Sequence, residues 1–203
     1  MAMDSTYAAT EVERANEIGR IAAGDIAHRA GNRYPEKPAF VVPERDETVT
    51  FAEFDRRTNR AAHALREAGY EKGSRLAFVA GNSLQFLEAY FGALKAGVVP
   101  VFINPEITPA DIAYEFDHSE ADGLLVDDAL HAKTAPLVAD NDIETVAAFE
   151  WEGTDVPVPS FRTFTEGHDD GAVDIEIVDD LPKTTTGKVQ KFELAEDWQT
   201  YYE

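Results

Sequence analysis

At 203 residues, with 18 basic and 39 acidic side chains and a net charge of −21, the chain is long enough for one or two domains. So acidic a surface repels phosphates and anionic lipid, which sets aside a nucleic-acid or membrane-surface role. An apolar content of 44% is too high for a wholly disordered chain, and the absence of cysteine excludes a disulfide framework and thiolate chemistry, as suits a soluble cytoplasmic protein.

The elements follow in chain order. Residues 1–19 read as a leader; Met1 to Glu17 has neither the basic flank nor the apolar core of a signal peptide. A helix is expected around Asp25–Ala30, then a strand at Ala39–Val42 that pairs with Val49–Phe51 across the charged turn Glu44–Glu47. Thr50 and Glu53 have the spacing of a capping box at the start of the clearest helix, which carries Phe54, Ala61, Leu65 and Ala68 and stops at Gly69. Arg56, Arg57, Arg60 and Arg66 lie on that helix. They form either an anion site or a solvated face with a Glu53–Arg57 pair at i, i+4.

Arg75–Ala80 reads as a strand, and Ser83 caps a helix with Leu84, Leu87, Tyr90, Phe91 and Leu94 that Gly97 ends. Val98–Ile103 is the most apolar run, far short of the roughly 20 residues of a membrane span, and reads as a strand buried on both faces. Thr108-Pro109 opens another helix with Asp111 closing a second capping box. Leu124–Val126, Ala129–Val138 and Thr145–Phe149 continue the alternation as strand, helix and strand. The alternation predicts an α/β fold with an open, mostly parallel sheet flanked by helices over residues 20–150. Periodicity weakens over 151–171, which reads as a linker. Residues 172–203 read as a small appendage: a strand at Val173–Val178, a polar loop, and a helix from Phe192 to Tyr201 that carries Trp198.

The polar loop ends in Gly187-Lys188, which invites a phosphate-loop reading. A Walker loop needs Gly where Pro182 stands and Ser or Thr where Val189 stands, so that reading fails twice. The stretch Val178 to Leu194, V-D-D-L-P-K-T-T-T-G-K-V-Q-K-F-E-L, instead resembles the C-terminal signature of the adenylate-forming superfamily, the acyl-CoA synthetases and their relatives. Phe51–Gly69, Gly73–Pro105 with its Leu94-Lys95-Ala96-Gly97-Val98-Val99-Pro100 run, and Thr108–Asp127 are similar to the family's early core.

The resemblance implies a partial N-terminal α/β domain joined to a remnant of the C-terminal lid. It implies a parent reaction in which ATP and Mg activate a carboxylic or fatty acid to an acyl-adenylate, followed by transfer to CoA. Lys188 then matches the mobile catalytic lysine, whose compact charge on a flexible stem suits a transient phosphoryl centre. The family's Ser/Thr/Gly-rich loop ending in Pro-Lys-Gly, its Tyr-x-x-Thr-Glu segment and its ribose-binding Asp are absent from this sequence, and Ala195 stands where Arg often follows Glu-Leu. The pattern is that of an internal deletion. Lys188 is either a catalytic lysine served by a partner chain, such as a full-length synthetase, or a remnant in a non-catalytic interaction module.

The other candidates carry less. His28, His63, His118, His131 and His168 lack zinc-ligand spacing, so no metal site is expected. His168-Asp169-Asp170-Gly171 is a polar loop with some cation-binding chemistry, and Asp127-Asp128 reads as a strand end and a helix cap. The charge is uneven: residues 1–100 hold 13 basic and 14 acidic groups, and residues 101–203 hold 5 and 25. A high-salt cytoplasm and an acidic tail both account for such a surplus.

Overall fold

The computed structural model describes residues 22–141, 144–149 and 158–173. The leader, the Lys188 loop and nearly all of the C-terminal appendage lie outside them. Helix α1 (Asp25–Arg33) precedes an antiparallel hairpin of β1 (Pro38–Val42) and β2 (Glu47–Thr50), in register Val42↔Glu47 and Phe40↔Val49. The turn between them is closed by Asp46 in the left-handed region, φ 48°. Helix α2 (Phe51–Glu67) follows at once, because Thr50 is both the last hairpin residue and the N-cap, its hydroxyl accepting the Glu53 N–H at 3.2 Å. Only half of a capping box forms there. Glu53 turns its carboxylate outward to Arg56 and Arg57, which a guanidinium makes a stronger bond than one backbone amide.

The alternation then runs β3 (Arg75–Val79), α3 (Leu84–Ala96), β4 (Val99–Phe102), α4 (Pro109–Ser119), β5 (Gly123–Asp127), α5 (His131–Asn141) and β6 (Glu144–Phe149). The four strands after the hairpin form one parallel sheet in the order β4-β3-β5-β6, with Leu76 aligned on both Pro100 and Gly123. Ser83 and Thr108 cap α3 and α4 by accepting the N–H groups of Phe86 and Asp111, and Gly97 ends α3 at φ 82°, where a Cβ would be strained. This is the α/β architecture with an open parallel sheet that the alternation predicts.

Successive residues of the central strands feed two cores. Leu76, Phe78, Leu125, Ala147 and Phe149 face α2 and α3; Ala77, Val79, Leu124 and Val126 face α4 with Ile112 and Phe116. Both faces of β3 and β5 are covered, which is why Leu76–Val79 and Gly123–Val126 carry no charge and the charged residues Arg75 and Asp127 stand at the strand ends. A third, smaller core under the hairpin joins Val49 and Phe54 to Leu84, Leu87 and Phe91.

Two expectations are corrected. Val98–Ile103 is not buried on both faces: β4 is the edge strand, with Val99 46% and Phe102 53% exposed. Hydrophobicity alone cannot tell a central parallel strand from an edge whose outer side awaits a partner. Within the stretch expected to be irregular, Ser160 caps a short helix α6 (Phe161–Thr165), Phe161 is 2% exposed, and Ser160 bridges Ala148 beyond β6. One buried aromatic docks a segment too short to show a period. Among the described residues no helix is long and apolar enough to cross a membrane.

Candidate functional site

Helix α2 carries the densest set of charged groups, and each is held by a different element. Arg57, half-buried, donates to Glu53 one turn back at 2.9 Å, to Glu47 of β2 at 2.7 Å and to Glu88 of α3 at 3.1 Å. Burial works against its charge, but these hydrogen bonds outweigh it and raise the guanidinium's already high pKa. Burial pushes the Glu88 carboxyl up, against the pull of Arg57, while the Arg57 hydrogen bond holds Glu47 below the usual carboxylate range. The expected solvated face with a Glu53–Arg57 pair is therefore right in the pair and in the exposure of Arg56 and Arg66, and wrong for Arg57, which is largely withdrawn from solvent. Glu88 and Glu47 arrive from other elements and turn the pair into an internal clamp.

A second cluster lies one turn along. Lys95 of α3 is buried, and its Nζ meets Asp55 Oδ1 at 2.5 Å and Asn59 Oδ1 at 2.5 Å. His28 of α1 approaches the other Asp55 oxygen at 3.1 Å. Burial lowers the Lys95 pKa and opposes ionisation of Asp55, yet the bonds from His28 and Lys95 prevail and keep Asp55 below its ordinary value. Its hydrogen bond to Asp55 raises His28.

The polar loop 168–171 packs on the same helix. Arg60 pairs with Asp170 at 2.7 Å, Asn59 donates to the Asp170 carbonyl at 2.9 Å, and Asp169 accepts the Gly171 N–H at 2.9 Å. Its aspartates are thus committed to α2 and to the loop itself, and among the described residues no metal-holding group of three or more acidic or His side chains forms. His168 reaches Glu67 at 3.4 Å, and its Nδ1 is buried without a partner among the described residues. Arg56 pairs with Glu53 at 2.6 Å, and Arg66 reaches the Lys95 carbonyl at 3.4 Å.

Between α2, Glu88 and α6 with its following loop lies an open cleft of about 740 Å³. It is lined by Arg57, Arg60 and Arg162 together with the carboxylates of Glu53, Glu88, Glu166, Asp169 and Asp170. Five acidic groups against three guanidiniums do not fit ATP: the cations are already bound to carboxylates, and a triphosphate would meet a net negative wall.

At the carboxyl ends of the strands, Asp127 accepts the Gly81 N–H at 2.7 Å, so it closes β5 and ties down the loop after β3. Its other oxygen is buried without a partner among the described residues, and burial raises its pKa. Lys133 donates to the carbonyls of Pro105 and Ile107, both at 2.6 Å, and clamps the turn before α4. Lys188 lies outside the described residues. The groups missed by the reading of motifs are Glu88 and Lys95. One signal marked them: they are the only charges between Ala80 and Pro105, and a lone charge in an apolar run must find a buried partner.

Residues 27–180 match the family model described as AMP-binding enzyme. The 3-hydroxybenzoate–CoA/4-hydroxybenzoate–CoA ligase of Thauera aromatica is 32% identical over 147 residues, 72% of this chain and 27% of that protein. A long-chain-fatty-acid–CoA ligase of Salmonella typhimurium is 33% identical over 50% of this chain and 18% of its own length. Among solved structures, a benzoate CoA ligase from Burkholderia xenovorans superposes with a TM-score of 0.67 at 25% identity, covering 79% of this chain and 32% of that one. The anthranilate CoA ligase AuaEII, solved with anthranoyl-AMP, gives 0.71 over 84% and 34% at 20% identity, a likeness of fold. The chain thus spans about a quarter or less of the curated relatives' length and about a third of the solved ones. With a match across most of its length and an α/β sheet that superposes on these ligases, the chain belongs to the AMP-binding enzyme family.

Proposed function

We propose that this chain is a shortened acyl-CoA synthetase relative that serves as scaffold for the parent reaction and does not carry it out alone. That reaction is ATP-dependent activation of a carboxylic or fatty acid to an acyl-adenylate, followed by transfer to CoA. The observation that carries the reading is the fate of the cations. Arg57, Arg60, Lys95 and Lys133 are all bound to carboxylates or carbonyls of the chain itself, which leaves their charge to hold helices together. The sequence also lacks the phosphate-binding loop and the adenine and ribose motifs that the family resemblance calls for. Nucleotide, Mg and CoA then belong to a site that another chain completes, with Lys188 as this chain's contribution.

The test is ATP–pyrophosphate exchange with a panel of carboxylic acids in molar potassium chloride. The isolated chain is expected to give no exchange above background, and ATP with Mg to leave its Tm unchanged, since a ligand that does not bind the native state cannot stabilise it. Robust exchange by the isolated chain, abolished in Lys188→Ala, overturns the scaffold reading and makes the chain an autonomous ligase.

A further inference from the structure

We propose that α1 is a pH-sensitive flap, docked on α2 and α3 while His28 carries a proton and released as a unit, with the sheet intact, when that proton is lost. Little apolar surface holds this helix. Its one large apolar side chain, Ile26, is 51% exposed, and the residues it buries are Ala27 and Gly31. Ala27 adds a single methyl group to the small core of Val49 and Phe54. Two further contacts are close approaches of backbone. A Cβ on Gly31 would stand 3.1 Å from the Asp55 Cβ of α2, and one on Gly24 would meet the Lys95 backbone nitrogen of α3 at 2.8 Å. Nine residues are too few for a helix to persist alone in water, so α1 depends on being docked.

What remains to dock it is polar. Among the described residues, the one side-chain hydrogen bond from α1 to another element joins His28 Nδ1 to Asp55 at 3.1 Å. Arg29 turns back on Asp25 of the same helix, and Asn32 meets the other ring nitrogen of His28 at 2.9 Å. The charged groups facing the imidazole are therefore Asp55 of α2, Lys95 of α3 and Asp25 of α1 itself. The Asp55 hydrogen bond prevails, and it raises the ring's pKa against burial and the Lys95 charge. Docking and protonation are thereby linked. The contribution of His28 to docking is complete below its ordinary pKa of about 6.5 and is lost as pH rises through the raised one. A neutral ring still donates from Nδ1, but its Coulomb attraction to Asp55 is gone, and Lys95 already balances that carboxylate.

The backbone beyond α1 places the hinge. The carbonyls of Pro35 and Lys37 accept the N–H groups of Ala52 and Phe51 at 3.2 and 3.0 Å. These bonds do not titrate, so the loop after α1 stays tied to the start of α2. The flap swings at Tyr34, where the backbone leaves the helical region at φ −137°, ψ 52°. Its release admits water to the covered side of Asp55 and Lys95.

The test is hydrogen exchange of the full chain by mass spectrometry at about pH 6 and about pH 8, with the intrinsic pH dependence of amide exchange divided out. Protection of residues 25–33 is expected to lie below that of β3 and β5 at both values and to fall by about threefold or more between them. Urea below the unfolding transition should lower protection of β3 and β5 but leave that of 25–33 nearly unchanged, because release exposes little surface. His28→Gln, at a position whose side chain is 31% exposed, is expected to show the low, pH 8 protection at both values. A variant that keeps the wild-type pH dependence overturns the proposal, since another group then titrates. Protection of 25–33 that is equal at both values, or absent at both, also overturns it. So does protection that follows β3 and β5 in urea, which makes the event global unfolding.

Discussion

Arg57 shows how much one side chain decides here. Its guanidinium is shared by carboxylates from β2, α2 and α3, so removing it strands the buried Glu88. Arg57→Met is expected to cost about 3–5 kcal/mol in urea unfolding, the penalty for breaking a buried pair from one side. Glu88→Gln should cost under about 1 kcal/mol, because the neutral amide sheds its own burial penalty and Arg57 keeps two partners. His28 makes the complementary prediction in pH. Its folded-state pKa lies above the ordinary value of about 6.5, so its contribution to stability is complete below that value and is lost as pH rises through the raised one. Unfolding free energy should therefore increase as pH falls from about 8 to about 6, and His28→Gln should flatten that slope. Asp55 works the other way: its lowered pKa gives stability above about pH 4 that is lost in more acid solution. The i, i+4 spacing of Glu53 and Arg57 is legible in the sequence because both lie on one helix. The pairings of Glu88, Asp170 and His28 are not, because their partners come from elements far along the chain, and that of Glu47 depends on how the hairpin folds onto α2.

At the scale of elements, helix ends are encoded locally and the docking of one element on another is not. Thr50, Ser83 and Thr108 cap their helices as their spacing predicts, since a hydroxyl and an amide three residues on meet whatever the tertiary context. The closeness of α2 and α3 was invisible. They cross at Gly92, where a Cβ would stand 2.5 Å from the Ala61 Cβ and 3.2 Å from the Thr58 carbonyl. Gly92→Ala gains up to about 1 kcal/mol of helix propensity, but overpacking against that neighbour costs about 1–3 kcal/mol. Net destabilisation in thermal melts is expected, and a stabilised variant would show that the helices part easily. Phe161 is the other hidden anchor, edge-to-face with Phe149 at 5.3 Å between ring centroids. Phe161→Ala should cost about 3–5 kcal/mol and bring early proteolytic cleavage within residues 158–173, whereas Arg162→Ala should be cut at the native rate.

For the whole molecule the governing quantity is charge. A chain of net −21 repels itself, so its Tm should rise with potassium chloride up to about 1 M, where the Debye length has fallen to about 3 Å. A continued rise above that concentration supports adaptation to a high-salt interior, and a plateau supports an acidic segment on an ordinary protein. The buried clamps are screened much less, so Arg57→Met should lose the same stability at both ends of the salt series.

Composition, capping spacing and strand–helix alternation are enough to establish the α/β class and the order of its elements, and the motif stretches Val178 to Leu194 and Gly73–Pro105 carry the family resemblance. These properties rest on interactions within a few residues, or on totals over the whole chain. Which apolar strand became the edge, which carboxylates surround Arg57, and where Phe161 docks were settled only when distant elements met in space. The reason is physical. Hydrophobicity says that a group leaves water, but only the tertiary packing names its neighbour, and for a buried charge the neighbour decides whether burial is tolerable.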